Sequence, residues 1–170
     1  MEVTKTKLGL YLIKKDRHYD ERGFFNEIFQ EESYRKAGIE CSFVQDNISY
    51  SRYSVTRGLH YQKGEKAQGK LIQVVKGEIF DVAVNIDKDS KDYGKSESFY
   101  LKTDMQVFIP ANFAHGFQCL SKDAYLLYKC SNAYSKWHEG TIIWNDPKLN
   151  INWPIKNAII SDKDALGEKF

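Results

Sequence analysis

Residues 70–86 carry the pattern that most restricts how this chain can fold. Residues 70–75 read KLIQVV, a Lys-Gly pair follows, and residues 78–86 read EIFDVAVNI. In the second run, one face would carry Phe80, Val82, Val84 and Ile86, and the other would carry Asp81, Ala83 and Asn85. This period of two is that of a β-strand. We therefore predict two strands joined by a tight turn at the Lys-Gly pair, as in a β-hairpin.

The rest of the chain also contains short strand-like runs separated by turn residues. Further strands are predicted at residues 10–14, 24–29, 43–51, 98–101, 107–109, 116–120 and 124–130. One short helix is predicted at residues 31–37, closed by Gly38, and an irregular tail is predicted after Pro154. Eleven Tyr and ten Phe favour strands and an aromatic-lined cavity. The pattern is typical of an all-β sandwich or barrel.

Length and composition agree with one domain that spans residues 1–170, because no segment resembles a linker. The net charge of +2 is spread along the chain, which argues against a nucleic-acid-binding face. The three Cys have no CxxC spacing, and the first residues lack the apolar core of a signal peptide. No apolar run approaches the ~20 residues needed to cross a bilayer. We therefore expect a cytoplasmic protein with no nucleic-acid or membrane partner.

His60 is the strongest single candidate for chemistry. It lies in residues 57–62, which read RGLHYQ, and alternation would place Gly58, His60 and Gln62 on one face. That face carries no large aliphatic side chain, so a barrel interior lined by it would be polar, as a ligand cavity is. Spacing alone does not separate this interpretation from a structural histidine at a strand end.

His115 follows a proline-led turn that would deliver it to the start of the next strand. Metal-binding barrels of this kind use a His-x-His pair with a carboxylate and a later histidine. Gln62 stands two residues after His60, and no His-x-His occurs anywhere in the chain. We therefore predict no catalytic metal.

Other polar residues have a structural interpretation beside a functional one. Lys70 at a strand start would either meet an anion in a pocket or extend to solvent from the strand edge. Gln45 and Asn47 alternate onto one strand face and could both donate hydrogen bonds inward. Surface turns or packing are the default roles of Arg22, Glu27, Tyr128, Tyr134, Asp162 and Asp164.

Known nucleotide-binding and nucleophile motifs are absent from the sequence. It contains no P-loop, no GxGxxG and no GxSxG, and the cysteines have no evident histidine partner. One histidine with several Tyr, Lys and Arg residues on a β-rich chain suits proton transfer or plain ligand binding better than hydrolysis.

Taken together, these runs resemble the dTDP-4-dehydrorhamnose 3,5-epimerase family, the RmlC-type enzymes of the cupin fold. The matching pieces are residues 22–27, 45–49, 57–62, 68–70, 77–84, 110–117 and 161–164, with Tyr128 and Tyr134. They are collinear over nearly the whole chain, and the Arg-Gly-Leu-His run is highly specific. The resemblance implies a cupin-type double-stranded β-helix, that is, a jelly-roll barrel with a few short helices.

The resemblance also implies a role for each matching residue. His60 would be the general base, Asp164 its orienting carboxylate and Tyr128 the general acid. Lys70 would lie near the substrate carbonyl oxygen, and Tyr134 would stack on the nucleobase. The sugar and diphosphate would be bound by Arg22, Glu27, Gln45, Asn47, Arg57, His115 and Lys163.

The implied reaction is epimerisation of a 4-keto-6-deoxy sugar nucleotide at C3 and C5, without a cofactor. The implied enzyme is a homodimer in which an arm or strand crosses to the partner. Both carbons flank the carbonyl, so one enolate-forming site serves both. Inversion requires an acid and a base on opposite faces of the sugar, which His60 and Tyr128 would supply. Two alternatives stay open: an epimerase or ketoisomerase that acts at a single carbon of a dTDP- or GDP-linked sugar, and a non-catalytic cupin that only binds a sugar nucleotide.

Overall fold

The computed structural model describes residues 1–170 and consists mainly of antiparallel β-strands. The strands are β1 (Glu2–Lys5), β2 (Tyr11–Lys14), β3 (His18–Asp20), β4 (Gly23–Phe25), β5 (Gln45–Arg52), β6 (Thr56–Gln62), β7 (Lys70–Lys76), β8 (Glu78–Asn85), β9 (Ser96–Lys102), β10 (Met105–Ile109), β11 (Phe113–Cys119), β12 (Asp123–Cys130) and β13 (Glu139–Thr141). The helices are α1 (Glu31–Lys36) and α2 (Asp162–Ala165), with 3-10 turns at Gly64–Lys66 and Lys136–His138. None of these helices is long and apolar enough to cross a membrane.

The strands form two large sheets and one small hairpin. The first sheet has the order β1-β2-β10-β7-β12-β5, and the second has the order β13-β6-β11-β8-β9. From β5 to β13 the chain changes sheet at every step except between β8 and β9. This alternation between two facing sheets is that of a jelly roll, so the predicted all-β class is confirmed.

The two strands predicted in residues 70–86 exist, but the predicted hairpin is wrong. β7 pairs with β10 and β12, whereas β8 pairs with β9 and β11 in the other sheet. Gly77 carries the chain between the sheets with φ +92°, and a Cβ atom there would lie 2.2 Å from the carbonyl oxygen of Asp123. Glycine is therefore required by both the dihedral angle and the close approach. The turn signal in the sequence identifies the bend, but it does not identify the strands' partners.

The alternation predicted for β8 is confirmed, because its two faces pack into two different hydrophobic cores. Ile79 and Ala83 pack between the sheets, with Ile72 and Val74 of β7. Phe80, Val82 and Val84 face the other way, into a second core with Ile142, Leu149 and Trp153. The segment after β13 thus covers the outer surface of the second sheet and buries β8 on both faces. Its part after Pro154 is irregular, as predicted, except for α2.

The predicted helix is confirmed, with its last helical residue at Lys36 rather than 37. The side chain of Gln30 caps it by accepting a hydrogen bond from the Ser33 amide, at 2.6 Å. The prediction of a strand at residues 24–29 is wrong beyond β4, because Phe29 instead packs its ring against Tyr34 of the helix, at 5.0 Å between centroids. The short strands β1, β3 and β13 were not predicted.

Candidate active site

A polar cavity lies between the two sheets and has two adjoining parts. The larger part has a volume of about 350 Å³ and the smaller about 160 Å³. His60, Lys70 and Tyr128 line both parts. The larger part also contacts Gln45, Asn47, Tyr61, Gln62, Gln68, Cys130, Tyr134 and Glu139, and the smaller contacts Ser49, Arg57, Ile72, His115, Phe117 and Leu126.

Strand register explains how the first sheet presents its polar residues. Tyr128 lies opposite Asn47 of β5 on one side and opposite Ile72 of β7 on the other. Two residues along β12, Cys130 lies opposite Gln45 and Lys70. Residues directly opposite one another, and residues two apart on one strand, share a face of the sheet. The prediction that Gln45 and Asn47 share an inward face is thus confirmed.

The second sheet supplies the histidines. His60 of β6 lies directly opposite His115 of β11, so both rings point to the same face. His60 therefore faces the cavity from one sheet while Tyr128 and Lys70 face it from the other. Leu59 and Tyr61, which alternate with His60, pack in or against the outer core. The predicted shared face is confirmed for His60 and Gln62, which both line the cavity. At Gly58 the alternation is wrong, because the pairing of β6 with β11 shifts register between Arg57 and His60, and Arg57 therefore lines the cavity as well.

Asp164 is brought to His60 by the C-terminal segment. Nε2 of His60 lies 2.7 Å from Oδ1 of Asp164, and Oδ2 accepts a hydrogen bond of 3.0 Å from the Gly58 amide. Ser161 caps α2 and so fixes the backbone that carries this carboxylate. Burial raises the pKa of Asp164, but the hydrogen bonds from His60 and Gly58 outweigh it and hold the pKa below its usual value. The default interpretation of Asp164 as a solvated turn residue is wrong, because its side chain is 5% exposed.

Lys70 is an almost fully buried lysine, with 8% of its surface exposed. Its Nζ donates a hydrogen bond of 3.2 Å to the carbonyl oxygen of His60. Burial lowers the pKa of Lys70, and the charges of Cys130, Asp81 and Glu139 oppose that shift in part. The alternative of a strand-edge lysine that extends to solvent is therefore wrong.

Glu139 lines the cavity, although no pattern in the sequence predicted it. Its carboxylate accepts hydrogen bonds from the Tyr134 hydroxyl, at 3.1 Å, and from Nζ of Lys163, at 2.5 Å. Burial raises the pKa of Glu139, but the hydrogen bonds from Lys163 and Tyr134 and the charges of Lys163 and His60 together outweigh it and hold the pKa below its usual value. Lys163 does not line the cavity itself and reaches it only through Glu139. β13, which carries Glu139, is three residues long, too short for a periodic pattern.

A second buried carboxylate stands behind His115. Oδ2 of Asp81 lies 2.7 Å from Nε2 of His115, and the Asp81 side chain is 0% exposed. Asp81 lies on β8 and does not itself contact the cavity. Arg57, by contrast, lines the smaller part and donates to the Tyr50 carbonyl and the Ser51 hydroxyl.

Two predicted binding residues lie away from the cavity within one chain. Arg22 sits in the turn between β3 and β4, is highly exposed, and pairs with Asp20. Glu27 follows β4 and pairs with Lys15 at 3.6 Å. Neither lines either part of the cavity.

No group of three or more His, Cys, Asp or Glu side chains is arranged to hold a metal ion. A neighbouring cavity, of about 490 Å³, contacts Lys63, Tyr93 and Phe170 and shares Tyr61 and Gln62 with the larger part. It contains none of the predicted site residues. The cavity between the sheets is the stronger candidate, because it gathers an imidazole with a carboxylate partner, a buried lysine and a tyrosine.

Two facing antiparallel sheets with a polar cavity between them define a barrel of the cupin class. The sequence model of the dTDP-4-dehydrorhamnose 3,5-epimerase family matches residues 5–170. The chain belongs to this family. A relative from Shigella flexneri, named dTDP-4-dehydrorhamnose 3,5-epimerase, is 47% identical over 174 residues, which cover 100% of this chain and 96% of the relative.

Solved structures of relatives have the same fold over nearly the whole chain. The Bacillus anthracis dTDP-4-dehydrorhamnose 3,5-epimerase, with TDP and PPi bound, is 39% identical with a TM-score of 0.95 and covers 99% of each chain. The Legionella pneumophila enzyme, in complex with dTDP-4-keto-L-rhamnose, is 42% identical with a TM-score of 0.93, and the match covers 99% of this chain and 92% of that one. The resemblance stated from the sequence is thus confirmed, as is the cupin barrel it implied.

Proposed function

We propose that this chain, acting as one domain, epimerises dTDP-4-dehydro-6-deoxyglucose at C3 and C5 to give dTDP-4-dehydrorhamnose. The observation that carries the proposal is the placement of His60 and Tyr128 on opposing sheets of one cavity, with Lys70 lining it too. A sugar ring held between the sheets would meet a base on one face and an acid on the other. Inversion at carbon requires that arrangement, whereas binding alone does not.

His60 is the base in this mechanism. Asp164 accepts a hydrogen bond from the N–H group at Nε2, so Nδ1 is the nitrogen left to take a proton from C3 or C5. The buried carboxylate then stabilises the imidazolium that forms, as the aspartate of a catalytic triad does. Because C3 and C5 are both α to the C4 carbonyl, the same base serves both once the ring is repositioned.

Lys70 stabilises the enolate. Proton removal places negative charge on the C4 oxygen, and a preorganised cation in a buried cavity stabilises that charge strongly. The nearly complete burial of Lys70 fits this role, because an ammonium group is tolerated there only if it meets an anion. The 4-keto group itself accepts the electrons, so the reaction needs no cofactor.

Tyr128 returns the proton from the opposite face. Burial, together with Cys130, raises the pKa of Tyr128 against the opposing charge of Arg57, so the phenol stays protonated at neutral pH. Proton delivery leaves Tyr128 as a phenolate. The positive charge of Arg57 is close to it, because both residues line the smaller part of the cavity.

The two parts of the cavity suit the two parts of a sugar nucleotide. Arg57 and His115 line the smaller part and would bind the reacting sugar there. Gln45, Asn47 and Tyr134 line the larger part, where the nucleoside diphosphate would lie, and Lys163 would act through Glu139. The TDP and dTDP-4-keto-L-rhamnose bound by the two relatives support a dTDP-linked substrate.

A homodimer is the second part of the proposal. The β3–β4 hairpin exposes Tyr19, Phe24 and Phe25, and apolar surface of this kind marks an interaction site. Arg22 lies in that hairpin and Glu27 just after it, so both would reach the cavity of the partner. Light scattering should give a mass near twice 19.8 kDa. Mixed dimers of Arg22→Ala and His60→Ala chains should recover activity, and a lack of recovery would reject the cross-subunit role.

Deuterium incorporation tests the reaction. The purified protein is incubated with dTDP-4-dehydro-6-deoxyglucose in deuterated water, and the sugar is analysed by NMR. We expect deuterium at both C3 and C5 and the rhamno product. Deuterium at one carbon only would reject the double epimerase in favour of a single-carbon enzyme, and binding without exchange would reject catalysis. A GDP-linked sugar run in parallel tests the nucleotide.

The His60→Ala variant tests the base. It should bind the substrate and lose exchange at both carbons. His138→Ala is the matched control, because His138 lies outside the cavity and bonds only the Ser135 hydroxyl through its ring. Exchange that persists in His60→Ala would remove His60 from the role of base.

A further inference from the structure

We propose that Asp81 is a positioning residue for the reaction: it fixes the ring of His115 toward the sugar and supplies the buried negative charge that balances the cations of the smaller cavity part. This inference rests on the proposed epimerase function and deepens it. Asp81 does not contact the cavity, so it would act only through His115 and Lys70.

The first observation is the environment of the Asp81 carboxylate. Asp81 lies on β8, which pairs with β9 and β11, and its side chain is fully buried, yet only one of its oxygens has a protein partner, Nε2 of His115 at 2.7 Å. The other oxygen, Oδ1, is buried without a hydrogen bond. A buried carboxylate with one partner is expensive to maintain, and an unsatisfied oxygen of this kind calls for an explanation other than stability.

The second observation is the orientation that this contact imposes on His115. An ionised carboxylate only accepts hydrogen bonds, so Nε2 of His115 must carry a proton. The ring is thereby held in one orientation and one tautomer, with Nδ1 as its remaining nitrogen. Since His115 lines the smaller part next to His60 and Lys70, Nδ1 is the nitrogen available to a sugar oxygen there.

The third observation is the charge balance around the smaller part. The charged or titratable groups that face it come from every neighbouring strand: Arg57 and His60 on β6, Lys70 on β7, His115 on β11 and Tyr128 on β12. Cys130 and Glu139 lie beyond, in the larger part. Two carboxylates bond residues that line the smaller part: Asp164 bonds His60, and Asp81 bonds His115. The charge of Asp81 favours the protonated form of Lys70, which burial disfavours.

The competing interpretation is that Asp81 only completes the hydrogen bonding of a structural histidine. Both interpretations predict some loss of stability when Asp81 is changed. They differ in kinetics, because only a positioning residue changes kcat more than KM and alters the pH dependence of kcat. Loss of the nearby negative charge makes the protonated form of Lys70 less favourable, so Lys70 would lose its proton at a lower pH.

The test is Asp81→Asn, which keeps the shape of the side chain. We expect kcat to fall about 10- to 100-fold, by analogy with the loss of a carboxylate behind a metal-binding histidine. KM should change little, and the alkaline limb of the kcat–pH profile should move to lower pH. The matched control is Asp146→Asn: Asp146 is equally buried but bonds the backbone amides of Lys148 and Phe170, away from the cavity. It should lose stability with no shift of the profile.

A double-mutant cycle that combines Asp81→Asn with His115→Asn tests whether Asp81 acts through the histidine. With kcat compared on the plateau of each pH profile, where Lys70 keeps its proton, the double variant should then lose little more activity than His115→Asn alone. Multiplicative losses in the double variant, or an Asp81→Asn enzyme with an unchanged kcat and pH profile, would overturn the proposal.

A measurement on the unaltered protein covers the case in which Asp81→Asn does not fold. Nitrogen-15 NMR of labelled histidines reports which ring nitrogen carries the proton, and for His115 we expect Nε2. A neutral His115 protonated on Nδ1 would overturn the proposal without any variant. Failure of the epimerase function would appear separately, as an absence of exchange in a protein whose His115 still has the expected tautomer.

Discussion

Asp164 bonds both the imidazole of His60 and the backbone of the strand that carries it. Oδ1 lies 2.7 Å from Nε2 of His60, and Oδ2 accepts a 3.0 Å hydrogen bond from the Gly58 amide. One carboxylate thus fixes the base and its strand relative to each other, although it lies 104 residues away in the sequence. The contact selects the tautomer of His60 and leaves Nδ1 for the substrate.

Asp164→Asn should therefore reduce kcat far more than it changes KM. We expect a loss of about 10³–10⁴-fold, since the comparable change in a catalytic triad keeps the geometry but favours the wrong tautomer. Steady-state kinetics on folded protein measures this. Asp162→Asn, at the exposed start of the same short helix, is the control and should behave like the unaltered enzyme. A loss below tenfold would contradict the orienting role.

Asp164 should also contribute to stability against acid. Because its pKa in the folded protein is held below the ordinary 3.8, its stabilising contribution is complete above that value and is lost as the pH falls through the lower, folded-state pKa. Urea unfolding of the unaltered protein and of Asp164→Asn, repeated from pH 6 downward, should give curves that converge below about pH 4. A constant difference between the two curves would refute this linkage.

Lys70→Met should abolish activity while making the protein more stable. The pKa of Lys70 is lowered by burial, so its charged form destabilises the fold at neutral pH. That destabilisation is complete below the lowered pKa of the folded protein, shrinks as the pH rises above it and disappears above the ordinary value of 10.5, which is the opposite sign to an ion-paired lysine. We expect a gain of about 1–2 kcal/mol in the free energy of unfolding at pH 7, shrinking at alkaline pH.

The activity of Lys70→Met should fall at least ~10²-fold, by analogy with the loss of one donor from an oxyanion hole. A variant that is both less active and less stable at neutral pH would indicate that Lys70 serves packing instead of the enolate. Lys76→Met is the control, since Lys76 ends the same strand with its side chain exposed and paired with Asp123.

Local patterns in the sequence predicted much of the fold. The alternation in residues 78–86 assigned the two faces of β8 correctly, and the spacing of Gln45 and Asn47 predicted their shared inward face. Strand pairing was not predictable in the same way. A hairpin and a crossover between sheets carry the same turn residues, and the partner strands of β7 and β8 lie tens of residues away in the chain.

In the site, too, local sequence patterns predicted some residues, whereas contacts between distant segments of the chain could not be predicted. His60 could be selected by its polar strand face, but Asp164 reaches His60, and Glu139 reaches the cavity, from segments with no periodic pattern. Asp164 was identified only through the family resemblance. Asp81 shares a face with Ala83, which the sequence did indicate, but its contact with His115 depends on the pairing of β8 with β11.

Gly77→Ala tests the crossover between the sheets. A methyl group there meets the Asp123 carbonyl oxygen at 2.2 Å in addition to the unfavourable φ of +92°, so we expect a loss of at least ~2 kcal/mol in unfolding free energy. Gly64→Ala is the matched control, because φ is +57° but no atom lies within 4 Å. It should lose only about 1 kcal/mol. Equal losses in the two variants would show that the clash is unimportant.

Tyr128→Phe separates proton removal from inversion. The variant keeps His60 and Lys70, so the enolate should still form and the substrate should still exchange its protons with deuterated water. It lacks the phenol on the opposing sheet, so protonation from the other face should fail, and rhamno product formation should drop about 10²–10⁴-fold, the range assigned to one general acid.

The measurement compares exchange and product formation by NMR in the same sample. Tyr125→Phe is the matched control, because Tyr125 lies three residues earlier on the same strand, outside the cavity and against Tyr50. The ratio of product to exchange is the decisive quantity, since a general loss of folded enzyme lowers both together. If Tyr128→Phe lowers both in proportion, or leaves product formation unchanged, the acid that completes the inversion must be another group.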